Sequence, residues 1–154
     1  MSKSDAFETD ILNLIFLNTK SGFWVTQPLT VTGFPANLYI SLHTGTLLGS
    51  NNQSTNEVSY VGYARQAVAR TAGGWTLSGT TQVANTAIIT FPAAPASTNQ
   101  SVTYFGIGTE ATGTGFLIYG GTVSIDGGTT AGTRVITQDI AATFAAGTLI
   151  VVGG

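Results

Sequence analysis

The sequence contains no cysteine, only one histidine and one methionine, and few charged residues. Without cysteine there is no disulfide, no thiolate metal site and no cysteine nucleophile. Charged residues make up 8% of the 154 residues, whereas an average soluble domain has about 25%. The five Lys and Arg residues are scattered and are outnumbered by seven acidic residues. We therefore expect no nucleic-acid partner, because such binding needs a cationic surface.

Long apolar runs and export signals are also missing from the sequence. No run approaches the roughly 18 apolar residues of a membrane-spanning helix, and the N-terminus lacks a small-residue cleavage site. We therefore expect neither membrane insertion nor secretion. A chain that is 43% apolar with a net charge of −2 does not have the composition of a disordered protein. Its length predicts one domain that is large enough for a core.

Residues 1–22 differ in composition from the rest and predict an N-terminal helix. Asp5 followed by Glu8 fits a capping box, with Ser4 as the alternative cap. Apolar side chains recur at helical spacing until about Asn18, so a sheet or another subunit must cover the helix. Its apolar residues are Phe7, Ile11, Leu14 and Ile15, with Leu12, Phe16 and Leu17 widening the face.

Residues 23–154 are rich in Thr, Val, Ile, aromatic residues and Gly, which favour strands and turns. Short strand-like segments recur about every 8–15 residues, which is typical of sandwiches and barrels. We therefore predict an all-β jelly-roll or related antiparallel β-sandwich, with the N-terminal α-helix as an arm over residues 1–22. The longest polar stretch, Leu48–Asn56, predicts an exposed loop. The predicted strands are Phe23–Thr26, Asn37–His43, Ala64–Arg70, Trp75–Leu77, Ala87–Phe91, Ser101–Ile107, Phe116–Tyr119, Thr122–Ile125, Arg134–Ile140 and Leu149–Val152.

No constellation of residues predicts catalysis, a metal site or a cofactor. His43 lies near Ser41 on an alternating strand, but no nucleophile elbow accompanies them, so we expect a structural histidine. The carboxylates are far apart in sequence, although Glu57 and Glu110 could meet in space. We therefore expect no enzyme, no catalytic residue, no metal and no cofactor.

The arginines and the glycines do not predict an anion site either. Alternation places Arg65 and Arg70 on opposite strand faces, so they form no cationic patch. The glycines of Gly106–Gly108, Gly113–Gly115 and Gly120–Gly121 are followed by strand-like sequence. A phosphate loop needs a helix at that point, so we expect turns and bulges there.

Scarce charge, 26 threonines and 11 serines, and apolar segments at both ends predict a surface that other subunits cover. The N-terminal helix and the C-terminal strand are the candidates for contact with another copy or with a capsid. The alternative is that both segments pack on their own sheet. The candidate contact residues are Phe7, Ile11, Leu14, Ile15, Leu149, Ile150 and Val151.

A series of segments in a fixed order carries a resemblance that covers most of the chain. The segments are Phe7–Phe16, Asn37–Thr44, Asn52–Glu57, Tyr60–Arg65, Val68–Arg70, Gly74–Trp75, Ile89–Pro92 and Tyr104–Thr109. Together they resemble a family of small tailed-bacteriophage virion proteins, some of which are labelled tail-fibre-like. Similar small jelly-roll proteins cement the outside of icosahedral capsids.

The resemblance implies a non-enzymatic virion component that is assembled in the cytoplasm of a bacterial host. The first hypothesis is a capsid cement or decoration protein, a homo-oligomer that bridges and stabilises neighbouring copies of the phage major capsid protein. The alternative is a tail component, namely a fibre, baseplate or adaptor module, with tail proteins as partners. A receptor- or carbohydrate-binding module is the third hypothesis.

Overall fold

The computed structural model describes residues 3–20, 34–124 and 130–152. Within these ranges all the sheets are built from antiparallel strand pairs, and a single helix precedes them. The predicted all-β class with one N-terminal helix is therefore confirmed. The predicted strand Phe23–Thr26 lies outside the described residues. The elements are α1 (Asp5–Phe16), β1 (Asn37–His43), β2 (Gln66–Ala69), β3 (Trp75–Ser78), β4 (Gln82–Asn85), β5 (Ile89–Thr90), β6 (Asn99–Val102), β7 (Tyr104–Gly108), β8 (Leu117–Thr122), β9 (Arg134–Thr137), β10 (Thr143–Phe144) and β11 (Ile150–Val152).

The largest sheet has the strand order β2-β1-β7-β8, and a three-stranded sheet has the order β11-β4-β3. Two further pairs, β6-β9 and β10-β5, complete the described strands. Apolar side chains from α1 and from the sheets form one buried cluster, as a sandwich requires. Its largest fully buried side chains are those of Leu12, Phe16, Leu38, Ile40, Leu42, Trp75, Val83, Phe91, Ile107 and Leu149.

Strand β1 has the bounds that its alternating sequence predicts. Leu38 and Ile40 point into the apolar core and are completely buried. The opposite face, which carries Ser41 and His43, is buried as well. A central strand loses solvent on both faces when sheet neighbours flank it and a loop covers its second face. Here the chain that follows β1 folds back over that second face.

The ends of helix α1 are set by side chains with the expected capping chemistry. Ser4, the alternative cap, accepts a hydrogen bond from the Phe7 backbone N–H at 3.4 Å, so Asp5 is the first helical residue and not the cap. The helix ends at Phe16, two residues before the predicted end. Asn18 then adopts a left-handed φ of 50°, a conformation in which asparagine often replaces glycine after a helix.

One face of α1 packs against strands β3 and β4. Leu12 and Phe16 are buried, and the Phe16 ring meets the Trp75 ring edge-on with centroids 4.7 Å apart. A second aromatic ring, that of Tyr119, lies 5.6 Å from Phe16. Full burial of such apolar side chains contributes about 1.5–3 kcal/mol each. The sheet therefore supplies the cover that the helix needs.

Several strand predictions differ from the structure where tertiary pairing decides the outcome. The predicted strand Ser101–Ile107 is divided at Thr103, because β6 pairs with β9 while β7 pairs with β1. Strands β4 and β10 were not predicted. In β4 the polar residues Gln82 and Asn85 flank Val83 and leave no clear apolar alternation in the sequence. The strand lies between β3 and β11 in its sheet, and the Val83 side chain is completely buried.

The Gly120–Gly121 pair lies inside β8 and does not form the predicted turn. A Cβ atom at Gly121 would lie 2.9 Å from the Phe105 ring, and one at Gly120 would lie 3.0 Å from Leu47. These glycines therefore allow two apolar side chains to approach the edge strand. Because β8 continues to Thr122, the predicted strand Thr122–Ile125 does not start as a separate element, and its last residue lies outside the described ranges.

Candidate functional site

A buried polar cluster lies where β1 ends and the loop at residues 44–57 folds back. It joins this loop to the segment before β2 and to the loop between β7 and β8 through side-chain hydrogen bonds. Such a cluster stabilises a fold only when its polar atoms find partners. Its side chains are those of Ser41, His43, Gln53, Glu57, Tyr63 and Arg65.

The central contact of the polar cluster is a bidentate ion pair between Arg65 and Glu57. Arg65 Nε donates to Glu57 Oε1 at 2.7 Å, and Nη2 donates to Oε2 at 2.6 Å. The remaining donors reach the backbone carbonyls of Glu110 at 2.9 Å and of Gly113 at 2.7 Å. The Arg65 side chain is 3% exposed and that of Glu57 is 14% exposed. The guanidinium group therefore ties three chain segments together with its charge compensated.

Tyr63 extends this ion pair towards β1. Its hydroxyl group donates to Glu57 Oε1 at 3.0 Å and accepts a hydrogen bond from the Leu42 backbone N–H, also at 3.0 Å. Burial raises the pKa of Tyr63 well above its ordinary value. The phenol therefore stays protonated and serves as a hydrogen-bond bridge.

Gln53 shows that the predicted exposed loop Leu48–Asn56 is wrong at its centre. Its side chain is completely buried, with Nε2 donating to the Tyr39 carbonyl at 2.8 Å and Oε1 accepting from the Glu110 N–H at 3.3 Å. Polarity suggested solvent exposure, but a glutamine amide can equally satisfy buried backbone groups. The ends of the loop follow the prediction, and Leu48 is 95% exposed.

His43 and Ser41 are adjacent, but neither side chain is accessible. Both are 0% exposed, and His43 Nε2 lies 2.8 Å from Ser41 Oγ. His43 Nδ1 lies 2.8 Å from the Thr55 carbonyl, which can only accept a hydrogen bond. We therefore assign the proton to Nδ1, which leaves Nε2 to accept from the serine hydroxyl. The pair anchors the loop and has no open side for a substrate.

His43 predicts that the protein loses stability in mild acid. Burial lowers the pKa of His43 from its ordinary value of 6.5, while the Thr55 hydrogen bond and Glu57 act in the opposite direction and Arg65 adds to the lowering. A neutral buried histidine contributes stability in full above its unfolded pKa. That contribution declines as the pH falls from 6.5 through the lowered folded pKa. The slope from this one group is at most about 1.4 kcal/mol per pH unit.

Urea unfolding of the wild-type protein and of His43→Gln, measured across this pH range, checks the prediction. We expect the two stability curves to converge as the pH falls, because glutamine has no proton to gain. The acidic residues titrate in both proteins, so the difference between the curves isolates the histidine. Parallel curves would contradict the assigned role of His43.

Arg70, the other buried arginine, is held against the end of α1. Its Nε and Nη2 atoms donate to the carbonyls of Ile15 and Leu14, each at 2.5 Å, and Nη1 donates to the Pro35 carbonyl at 3.1 Å. The guanidinium carbon also lies 4.2 Å from the centre of the Phe34 ring. The last turn of α1 contains no basic residue. Arg70 thus supplies the positive charge and the donors that a helix C-terminus favours.

The candidate contact residues of α1 lie partly at the surface. Phe7 is 37% exposed, while Ile11, Leu14 and Ile15 are half-buried. Ile15 packs against the core. The contact role of these residues stays a prediction.

The candidate contact residues of the C-terminal strand alternate between the core and the surface. Leu149 is 1% exposed and Val151 is 6% exposed, so these two side chains pack inside the subunit. Ile150 is 45% exposed. Of these three residues, Ile150 has the side chain that is available to another molecule.

An open cleft of about 670 Å³ lies beside this strand. Its lining comes from β1, β6, β7, β8 and β9 and from residues 123–124, 131 and 140–150. Three of its border residues are exposed aliphatic side chains, namely Val135 at 51%, Ile140 at 56% and Ile150 at 45%. The buried part of its lining includes Leu42, Val102, Phe105, Val123 and Ile136.

The described ranges contain no group of three His, Cys, Asp or Glu side chains that could hold a metal ion. In the same ranges no helix has both the length and the apolarity to cross a membrane.

Sequence reasoning missed the polar cluster as a unit. It considered Glu57 and Glu110 as a possible pair, whereas Arg65 bridges the Glu57 carboxylate to the Glu110 backbone. One signal was available. Arginine and glutamate are rarely buried unless they are paired, and Glu57 and Arg65 lie eight positions apart in a chain with few charges. Gln53 carried no such signal.

Comparison with known proteins identifies a family whose model matches the chain. A family model described as Gp80, podophage GP4 fiber I protein gp80, matches residues 2–152. The match spans almost the whole chain and includes α1, all the described strands and the polar cluster. No curated protein matches the chain.

Proposed function

The chain belongs to the Gp80 family, described as podophage GP4 fiber I protein, and from that premise we propose that it is a fibre-type component of a phage tail. Membership makes it a structural protein of a tailed-phage virion. The family description favours the tail component, the alternative drawn from the sequence, over a capsid cement protein. The match over residues 2–152 is the observation that carries this proposal.

The proposed role is mechanical and not enzymatic. The most catalysis-like pair, His43 and Ser41, is closed off from solvent, and each ring nitrogen already has a partner. The buried Arg65–Glu57 ion pair and the hydrogen bonds from Arg70 to the end of α1 join separate segments of the chain. Such cross-links hold these segments of one subunit together, and a mechanical role makes use of that rigidity. We propose other tail proteins and further copies of this chain as partners.

Locating the protein on purified virions tests this proposal. We expect gold-labelled antibodies against the protein, viewed by electron microscopy, to bind at the tail. Particles from a phage that lacks the gene provide the control for antibody specificity. Label distributed over the capsid shell would overturn the tail assignment and support the cement hypothesis.

A further inference from the structure

The His43 ring lies in a space that a glycine on β7 leaves open. Gly106 is the strand partner of Ser41, and a Cβ atom on Gly106 would lie 2.8 Å from both His43 Nε2 and Ser41 Oγ. Any other residue at position 106 would therefore have to displace the ring or the hydroxyl group. The three residues bring an imidazole nitrogen, a hydroxyl group and a backbone carbonyl together at a place that solvent does not reach.

The Ser41 hydroxyl group lies near two acceptors. Its oxygen is 2.8 Å from His43 Nε2 and 3.4 Å from the Gly106 carbonyl oxygen. A hydroxyl group has one proton to donate and can turn it to either acceptor. While Nε2 is unprotonated, the shorter contact takes that proton, and the separation from Gly106 exceeds the usual length of an O–H···O bond. The carbonyl is thus a second acceptor that becomes useful only when the first is lost.

The charged groups that act on the His43 ring lie on two segments packed against it. Glu57, on the loop at residues 44–57, favours the protonated ring, and Arg65, before β2, opposes it. Two phenols complete the titratable groups on the neighbouring elements, namely Tyr104, the β7 strand partner of His43, and Tyr63. A phenol carries no charge in mild acid. Because the carboxylate and the guanidinium group compensate each other, a proton on the ring leaves the polar cluster with one net positive charge.

We propose that Ser41, His43 and Gly106 form a proton switch, in which the Ser41–His43 hydrogen bond reverses when the folded protein takes up a proton. The proton comes from solvent and binds the lone pair of Nε2. That nitrogen then donates to Ser41 Oγ, and the hydroxyl proton turns to the Gly106 carbonyl. Nδ1 keeps its proton and its bond to the Thr55 carbonyl, which becomes charge-assisted. The loop at residues 44–57 therefore stays anchored in both protonation states.

The switch limits how much stability His43 costs in acid. Burial lowers the pKa of His43, so its contribution to stability falls as the pH drops from 6.5 towards that lowered value. Below it the folded and the unfolded chain both carry the proton, and this residue removes no further stability. A ring without an acceptor at Nε2 would bind its proton more weakly, and the loss would continue to a lower pH. The switch operates wherever on the virion the protein lies.

Nitrogen-15 NMR spectra of His43 test the switch, because the chain contains a single histidine and its ring signals need no separation from others. In the wild-type protein we expect a proton on Nδ1 alone at neutral pH and on both nitrogens in acid, while the spectrum remains that of the folded protein. Ser41→Ala removes the hydroxyl group from both states. Since a charged ring forms the stronger hydrogen bond, we expect the titration midpoint to fall by about half a pH unit or more, a roughly three-fold weaker proton affinity.

Thr44→Ala is the matched control. The Thr44 hydroxyl group belongs to the same loop anchor, but it donates to the Asn56 carbonyl at 3.2 Å and not to the ring. We expect this variant to keep the wild-type midpoint. Circular dichroism identifies any variant that fails to fold, and if Ser41→Ala does so, the protonation of both nitrogens in the folded wild-type protein decides the question.

Three results would overturn the switch. The first is a wild-type protein that unfolds before its ring is protonated, and the second is a proton on Nε2 at neutral pH. The third is a folded Ser41→Ala variant whose midpoint equals or exceeds that of the wild-type protein. Each of them leaves the tail assignment intact, because that assignment depends on where the antibodies bind on the virion.

Discussion

Arg65→Met is expected to lower the free energy of unfolding by about 3–5 kcal/mol, because it leaves the Glu57 carboxylate without its partner in a buried site. The methionine also leaves the carbonyls of Glu110 and Gly113 without their donors. For a chain of this length the loss corresponds to a fall in melting temperature of roughly 6–20 °C. Urea unfolding at neutral pH measures the loss of free energy, and a thermal melt measures the fall in melting temperature.

The double variant Arg65→Met with Glu57→Gln is the informative comparison. Removing both charges eliminates the uncompensated carboxylate, so we expect the double variant to be more stable than Arg65→Met alone. Lys3→Met deletes an exposed cation and should change stability by no more than about 0.5 kcal/mol. A loss below about 1 kcal/mol for Arg65→Met would mean that the loops hold together without the ion pair.

Phe16→Ala is expected to destabilise the protein by about 3–5 kcal/mol, because it opens a cavity where α1 meets the sheet. Phe16 is completely buried and contacts both Trp75 and Tyr119. The substitution removes the largest side chain that α1 contributes to the core. Chemical unfolding, monitored by the fluorescence of the two tryptophans, measures this loss, and one of them, Trp75, contacts Phe16.

Phe7→Ala provides a control on the same helix. The Phe7 side chain is 37% exposed, so we expect a loss below about 1.5 kcal/mol. A loss for Phe16→Ala as small as that expected for Phe7→Ala would contradict the packing described for Phe16. If Phe7→Ala instead weakens self-association at unchanged stability, the predicted contact role of α1 gains support.

The candidate contact surfaces show what a periodic sequence pattern can predict and what it cannot. Helical spacing identified the apolar residues of α1, yet the structure buries Leu12 and Phe16 most deeply and leaves Phe7 partly exposed. A helix that is apolar over most of its circumference does not specify which side meets the sheet. The C-terminal strand is easier to interpret, because an alternating pattern leaves Ile150 outside once Leu149 and Val151 are inside.

The polar cluster marks the limit of sequence interpretation. Arg65 seemed to belong to a strand face, but it precedes β2 and turns towards Glu57. Gln53 lies in a polar stretch whose composition is that of a surface loop, and it is nevertheless completely buried. Their partners are eight or more residues away along the chain. No local pattern can specify such pairs, because a polar side chain can form its hydrogen bonds either with water at the surface or with buried groups of the protein.

The N-terminal helix, the bounds of β1, the all-β class and the resemblance to tailed-phage virion proteins could all be predicted from the amino-acid sequence. These properties depend on side chains at fixed short spacings and on the order of segments along the chain. The buried face of α1, the positions of the Arg65 and Arg70 charges and the aliphatic residues exposed beside the cleft became known from the folded structure alone. Each of these outcomes depends on contacts between distant segments, whose geometry exists only after the sheets have paired.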